Sequence, residues 1–158
     1  MELHEGHLEA AQRLFTEELT IAAEVGAARL RVDALHGLGA VEVKCGRMAQ
    51  AKRLLMEALQ LAQGHRRLAL PAILATGLTA AVAEGRLEVA AELLGAIEAL
   101  DEVRRLPLPQ LHRCDFDRSV SVARCGLDES TLQRACAKGR SGSVADDLLA
   151  VLGRWAEL

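Results

Sequence analysis

Apolar residues recur every three or four positions through most of this chain, the spacing that places them on one face of an α-helix. In the first segment this face comprises Leu8, Ala11, Leu14, Phe15, Leu19 and Ala22. Gly26 and Gly64 interrupt the pattern, and Ser143 with Asp146 has the spacing of a helix start. The pattern predicts seven or eight helices, at about residues 3–24, 28–44, 48–63, 67–84, 87–103, 109–124, 129–138 and 143–156.

A second, longer period is superimposed on the first. Glycines recur at intervals of 40, 39 and 41 residues, at Gly6, Gly46, Gly85 and Gly126. Five positions after each is a small residue, where two antiparallel helices would approach most closely: Ala11, Ala51, Ala90 and Thr131. A glycine in the left-handed conformation ends a helix without the steric penalty of a Cβ atom. A repeated unit of this length buries its apolar face only by stacking against other copies.

Together the two periods predict an all-α fold, a solenoid of antiparallel helix pairs. Residues 1–158 are expected to form a single repeat domain whose units turn near the four glycines, and the last helix, at 143–156, is expected to cap the stack. Composition agrees, because apolar residues make up 51% of the chain and aromatic residues only 2%. Leucine and alanine must therefore supply the core, and both favour helices over strands.

The charge balance argues against nucleic acid as a partner. The chain has 19 basic and 22 acidic side chains, so it lacks a dominant basic surface. A helix-turn-helix drawn over 128–152 would place Asp146 and Asp147 against the phosphates. The longest apolar stretch, 68–83, contains Pro71 and falls short of the roughly 20 residues that span a bilayer. Since the amino end also lacks an export signal, we expect a cytoplasmic protein with no membrane contact.

Around the second and third glycines the residues resemble the tetratricopeptide-type repeat. The matching positions are Leu38, Gly39, Gly46, Ala51, Leu55 and Ala58 in the second unit, and Gly85, Ala90 and Leu94 in the third. The chain departs from that family in its repeat length, which is 39 to 41 residues instead of about 34. It also has aliphatic residues at the usual aromatic and proline positions.

Long alanine-rich units of this kind look like the repeat tails of large bacterial signal-transduction ATPases, including LuxR-type transcriptional regulators and repeat-bearing nucleotide cyclases. Segments 96–100, 106–109 and 135–140, followed by Ser143, resemble the closing block of those tails. The resemblance implies a non-catalytic sensor or scaffold module in a transcriptional regulator. Its expected partner is a protein, a peptide or a ligand, or the ATPase domain of the same longer chain.

Two alternatives concern the first helix. Because Gly6 leaves almost no room for the first helix of the first repeat, we expect the chain to be a piece of a longer protein; otherwise the segment 3–24 packs as a cap. The rival function is a stand-alone helical-repeat scaffold that forms a homodimer through this terminal helix.

In tetratricopeptide-type repeats the first helix of each pair lines a concave groove, and counting back from the turn glycine selects the residues that face it. The resemblance implies a binding surface formed by Asp33, His36 and Lys44 in the second unit, Thr79 in the third, and Arg113, Phe116 and Arg124 in the fourth. Ala40 and Val43 would be its small or apolar members in the second unit. The alternative is a solvated position for each polar residue and a core position for Phe116.

Catalytic and metal chemistry have little support in the sequence. The four cysteines contain no CxxC pair, and we expect them to be reduced. His4 and His7 are too few ligands for a metal ion. Asp115 and Asp117 point to different sides of a helix and cannot act as a paired acid and base. We therefore expect no enzymatic activity, no cofactor and no metal site.

Overall fold

The computed structural model describes residues 2–62, 66–99 and 110–141, and these residues confirm the all-α class. Within them there are seven helices and no strand, with α2 beginning and ending where predicted. The predicted capping helix at 143–156 and the predicted stop at Gly64 lie outside the described residues. The helices are α1 (Glu2–Glu24), α2 (Ala28–Lys44), α3 (Met48–Leu61), α4 (Arg66–Ala83), α5 (Leu87–Ala99), α6 (Gln110–Cys125) and α7 (Glu129–Ser141).

The chain divides into two compact units, Met1–Ile73 and Leu74–Leu158, with the boundary falling within α4. In the first unit α1 packs on α2 and α2 packs on α3, while in the second unit α5 packs mainly on α7 and less extensively on α6. Consecutive pairing in the first unit is what a stack of helix pairs requires. The solenoid and the single repeat domain remain predictions. Across the described ranges, no helix combines the length and the apolarity needed to cross a bilayer.

Three of the corners between helices are built alike, each around a glycine with a left-handed backbone. The glycines are Gly26 (φ 67°), Gly46 (φ 73°) and Gly85 (φ 72°). At the second corner the Gly46 N–H donates to the Val43 carbonyl (3.1 Å), and the Arg47 N–H donates to the Glu42 carbonyl (2.9 Å). The same two bonds recur at the other corners. This Schellman arrangement satisfies the last carbonyls of a helix, and the predicted helix stops at these glycines are confirmed.

The remaining glycines of the long period differ from this pattern. Gly6 lies inside α1, so the turn predicted there is wrong. A single glycine weakens a helix by about 1 kcal/mol relative to alanine but does not by itself end it. Gly126 does lie between α6 and α7, but its φ is not positive, and its N–H donates to the Val122 carbonyl (2.9 Å). Pro71, expected in or near the first turn of α4, lies in the second.

The core of the first unit lies between α1, α2 and α3. Leu35 of α2 and Leu55 of α3 are fully buried. A Cβ atom at Gly37 would lie 2.5 Å from the Phe15 ring of α1, and one at Gly39 would lie 2.9 Å from Cδ2 of Leu55. Glycines on α2 therefore make room for large apolar side chains from the helices on either side.

The apolar face predicted for α1 is correct except at one position. Ala22 is buried, and the half-buried members are Leu8, Ala11, Phe15 and Leu19. Leu14, by contrast, is 66% exposed. Because consecutive helical residues are about 100° apart, Leu14 lies at the edge of a face that has Phe15 near its centre. Its prediction as a core residue was wrong, since the packing on α2 leaves that edge uncovered.

Among the residues of the first unit whose burial is described, one carboxylate is buried. Glu42 of α2 is only 4% exposed, and Arg47 binds both of its oxygens, with Nη2 3.1 Å from Oε1 and Nε on Oε2. The side-chain amide of Gln12 also donates to Oε1 (3.4 Å). Gln12 is on α1 and Arg47 immediately precedes α3, so this carboxylate connects all three helices of the unit. A buried charge of this kind requires such partners.

In the second unit the backbones of α5 and α7 are in close contact. A Cβ atom at Gly95 would lie 2.1 Å from the Cys136 carbonyl oxygen, and one at Gly139 would lie 1.9 Å from the Glu92 carbonyl oxygen. Both obstacles are backbone atoms, which cannot rotate away as a side chain can. The two glycines therefore determine how closely α5 and α7 approach.

Candidate functional site

The predicted groove residues of the first unit all lie on α2. Asp33 is exposed and pairs with Arg29 one turn earlier (Nε–Oδ2 3.9 Å), His36 is half-buried, and Lys44 is exposed at the end of the helix. Ala40 and Val43, which were expected to face the groove, are buried in the core. The polar residues on this face are thus separated by core positions.

The other predicted residues lie in the second unit. Thr79 on α4 is half-buried, and its hydroxyl donates to the Ala75 carbonyl one turn earlier (3.0 Å). On α6, Arg113 and Arg124 are exposed and Phe116 is half-buried. Among these four, Arg124 is the one that lines a cleft together with residues of α5 and α7.

This cleft, which we call the α5–α7 cleft, has a volume of about 310 Å³. Its apolar part is formed by Leu94 and Cys136, which are buried, and by half-buried Leu132. The polar side chains that line it are Glu98, Arg124, Glu129, Gln133 and Arg140. Ligand pockets in proteins are typically apolar surfaces with a few convergent polar groups, and their volumes begin at about 300 Å³.

Two arginines share one carboxylate at this cleft. Nη2 of Arg124 lies 3.1 Å from Oε1 of Glu98, and Nη1 of Arg140 lies 3.5 Å from Oε2. Both arginine side chains are about half exposed (56% and 51%). Ion pairs this exposed contribute only about 0–1 kcal/mol. A carboxylate from another molecule can therefore exchange with Glu98 at low cost.

The thiol in the cleft is not activated. Burial raises the pKa of Cys136, the charge of Glu98 raises it further, and the charges of Arg140 and Arg124 act in the opposite direction. Because the thiolate is the nucleophilic form of cysteine, a raised pKa keeps this side chain unreactive at neutral pH. Cys136 therefore contributes apolar surface to the cleft.

Most residues of this cleft were not predicted from the sequence. Leu132, Cys136 and Arg140 are spaced four residues apart on α7, which places them on one face of that helix. That spacing was a usable signal. By contrast, Glu98 and Arg124 are 26 residues apart, and no local pattern indicates that they meet.

A second depression follows the polar side of α1, but it offers less to a ligand. It has a volume of about 600 Å³ and, like the α5–α7 cleft, is open to solvent, but its described lining residues are all polar and include Glu9, Arg13, Thr16 and Thr20. The Thr20 hydroxyl already donates to the Thr16 carbonyl (3.0 Å). Within the described ranges, no three His, Cys, Asp or Glu side chains are grouped closely enough to hold a metal ion.

Comparison of the chain with protein-family models, curated proteins and solved structures gives no significant match. The tetratricopeptide-type interpretation therefore depends on the spacing of residues such as Gly46, Ala51 and Leu55. In the structure these residues occupy a helix corner and two fully buried positions of α3.

Proposed function

We propose that this chain is a non-catalytic binding module, a sensor or scaffold in a bacterial transcriptional regulator of the LuxR type. The observation that carries the binding role is the α5–α7 cleft, where an apolar surface adjoins two arginines held by a single exchangeable carboxylate. The regulator assignment is supported by the resemblance of the repeat units alone.

The cleft favours a particular ligand chemistry. Leu94, Leu132 and Cys136 offer a surface for one apolar side chain, and Arg124 with Arg140 offers donors for a carboxylate. A volume of about 310 Å³ is at the small end for ligand pockets. We therefore infer that the ligand is a peptide that ends in an apolar residue, or a small molecule with the same two groups.

Binding at this position has a direct structural consequence. Glu98 belongs to α5, Arg124 to α6 and Arg140 to α7, so a ligand that displaces Glu98 alters ion pairs that connect all three helices. In the proposed regulator this change is transmitted to the ATPase domain of the longer chain. The reading frame on both sides of this segment tests that part, since it should encode an ATPase and a DNA-binding or other output domain.

The cleft itself is tested by nuclear magnetic resonance, with short peptides that end in leucine titrated into the labelled chain. We expect shifts confined to α5, α6 and α7. Arg124→Ala should weaken binding about tenfold, because a hydrogen bond to a charged group contributes about 1.5–3 kcal/mol. Arg118→Ala, an exposed arginine on the same helix, is the matched control and should leave the affinity unchanged.

The same peptides with an amidated end provide the ligand control. They lack the carboxylate that both arginines would bind, and should bind at least as weakly as the free-acid peptides bind to the Arg124→Ala chain. Equal affinity for acid and amide peptides would contradict the proposed chemistry, and an absence of shifts in α5–α7 would contradict the cleft as a site.

The second candidate function is a stand-alone scaffold that forms a homodimer through α1. The observation that favours it is the exposure of large apolar side chains along this helix, including Leu14 and Ile21. A stable dimer of the isolated chain, formed without flanking domains, would favour this candidate over the regulator module.

A further inference from the structure

Three large apolar side chains form an exposed stripe along α1. Leu14 is 66% exposed, Ile21 is 49% exposed, and Val25 is 66% exposed. Val25 follows the last residue of α1 but continues its register, because its N–H donates to the Ile21 carbonyl (3.0 Å). Spacings of seven and four residues place all three on one side of the helix, over about 16 Å. We call these three residues the α1 stripe.

The stripe is distinct from the face that α1 buries. Phe15 and Ala22 belong to the packed face, with the Phe15 ring against Gly37 of α2. Leu14 precedes Phe15 by one position and Ile21 precedes Ala22 by one position, so each points about 100° away from the packed face. Large exposed apolar side chains aligned on one side of a helix mark a protein contact more often than singly scattered ones do.

Acidic side chains lie on both sides of the stripe. Glu17 and Glu24 are on one side of it, and Glu18 is on the other, as the helical period requires. Within the described residues, none of the three takes part in an ion pair. A second copy docked along this stripe would bring glutamates against glutamates, which opposes self-pairing.

We propose that the α1 stripe binds an amphipathic helix of another protein, whose apolar seam is flanked by lysine or arginine. The seam covers Leu14, Ile21 and Val25, and the basic flanks pair with the three glutamates. This is the helix-in-groove type of recognition, with charge determining which helices are accepted. The site lies in the first unit and is independent of the ligand proposed for the α5–α7 cleft.

The test uses two synthetic peptides of about five helical turns, with leucine at the seam positions and either lysine or glutamate on both flanks. Binding to the whole chain is measured by fluorescence anisotropy. The lysine peptide should bind and the glutamate peptide should not. Raising the salt concentration should weaken the lysine complex, because Glu17 and Glu24 are exposed to solvent.

Two sets of variants locate the site. The double variant Leu14→Asp with Ile21→Asp should weaken the lysine peptide at least about tenfold. Thr20→Asp is the matched control, because it adds the same side chain to the polar side of α1, about 120° around the helix from the stripe, and should leave binding unchanged. Glu17→Lys with Glu18→Lys should reverse the preference, so that the glutamate peptide becomes the tighter ligand. Circular dichroism verifies that each variant folds.

Several results would overturn the proposal. The charge argument fails if both peptides bind equally or if the double lysine variant keeps the original preference. The assignment of the site to the α1 stripe is contradicted if Thr20→Asp weakens binding as much as the double variant Leu14→Asp with Ile21→Asp does. No binding of the lysine peptide, or a stable dimer of the free chain that the stripe variant abolishes, would also reject the proposed partner. None of these measurements depends on the α5–α7 cleft.

Discussion

Asp128 determines how α7 begins. The Ser130 hydroxyl donates to its carboxylate (2.6 Å), and so does the Thr131 N–H (3.0 Å). These bonds hold the pKa of Asp128 well below its usual range. An aspartate in this position satisfies one of the free N–H groups at a helix start and interacts favourably with the helix dipole.

This cap predicts a specific acid sensitivity. Because the folded-state pKa of Asp128 is depressed, its contribution to stability is complete above the unfolded-state pKa of about 4 and is lost as the pH falls toward the folded-state value. Asp128→Asn keeps the acceptor but cannot be protonated, so the variant should lose less stability than the native chain between neutral and acidic pH. Thermal unfolding followed by circular dichroism at a series of pH values measures the difference.

Asp117→Asn, at an exposed carboxylate on α6, is the control and should behave like the native chain across the same pH series. If the acid sensitivity of Asp128→Asn matched that of the native chain, the cap would not be its source.

Glycine has two different structural roles in this chain. At Gly46 a Cβ atom would meet nothing within 4 Å, and the constraint is the left-handed backbone. At Gly139 the backbone is helical, and the constraint is the Glu92 carbonyl oxygen of α5. The first role makes a corner between helices, and the second allows two helices to touch.

Substitution of Gly139 separates helix propensity from packing. Propensity alone predicts that Gly139→Ala stabilises the chain by about 1 kcal/mol, whereas overpacking typically costs about 1–3 kcal/mol and occasionally more. With the Cβ atom 1.9 Å from a backbone oxygen, we expect a loss at or above the upper end of that range. Urea unfolding measures the free-energy difference.

Gly46→Ala is the comparison. It should cost about 1–2 kcal/mol, because the new residue must adopt the left-handed conformation in open space. A Gly139→Ala chain at least as stable as the native one would show that α5 and α7 can separate without loss.

The helices were predictable from the sequence because their signals are local. The apolar period and the glycine stops are properties of adjacent residues, and α2 has the predicted bounds for that reason. The α5–α7 cleft was not predictable, since α5 packs mainly on α7 and less extensively on α6, its neighbour in the sequence. Leu14 was wrongly predicted to be buried for a related reason. Which edge of a helix is buried depends on the helix that packs against it.

Each of the two compact units carries one of the proposed surfaces. The first has the α1 stripe with its acidic borders, and the second has the α5–α7 cleft with Arg124 and Arg140. Of the predicted groove residues, Asp33, His36 and Lys44 belong to the first unit and Thr79, Arg113, Phe116 and Arg124 to the second. The predicted groove residues are therefore divided between the two units, and the single groove remains a prediction.

The acidic side chains around the α1 stripe predict the oligomeric state of the isolated chain. Glutamates on both sides of the apolar residues oppose self-association, so light scattering should give the mass of one chain over a wide range of protein concentrations. High salt screens these charges and should favour any weak dimer. A dimer that is stable at low salt would support the scaffold candidate instead.

The three Schellman corners have a consequence for how this chain specifies its own order. Each corner has the same backbone hydrogen bonds and a glycine in the same conformation. The corners therefore do not determine which helix follows. The order of the helices must instead be specified by contacts between helix faces, such as Phe15 with Gly37 and Gly95 with Cys136. Duplication of a whole helix hairpin would therefore leave these corners intact, and only the residues on the contacting helix faces would need to change.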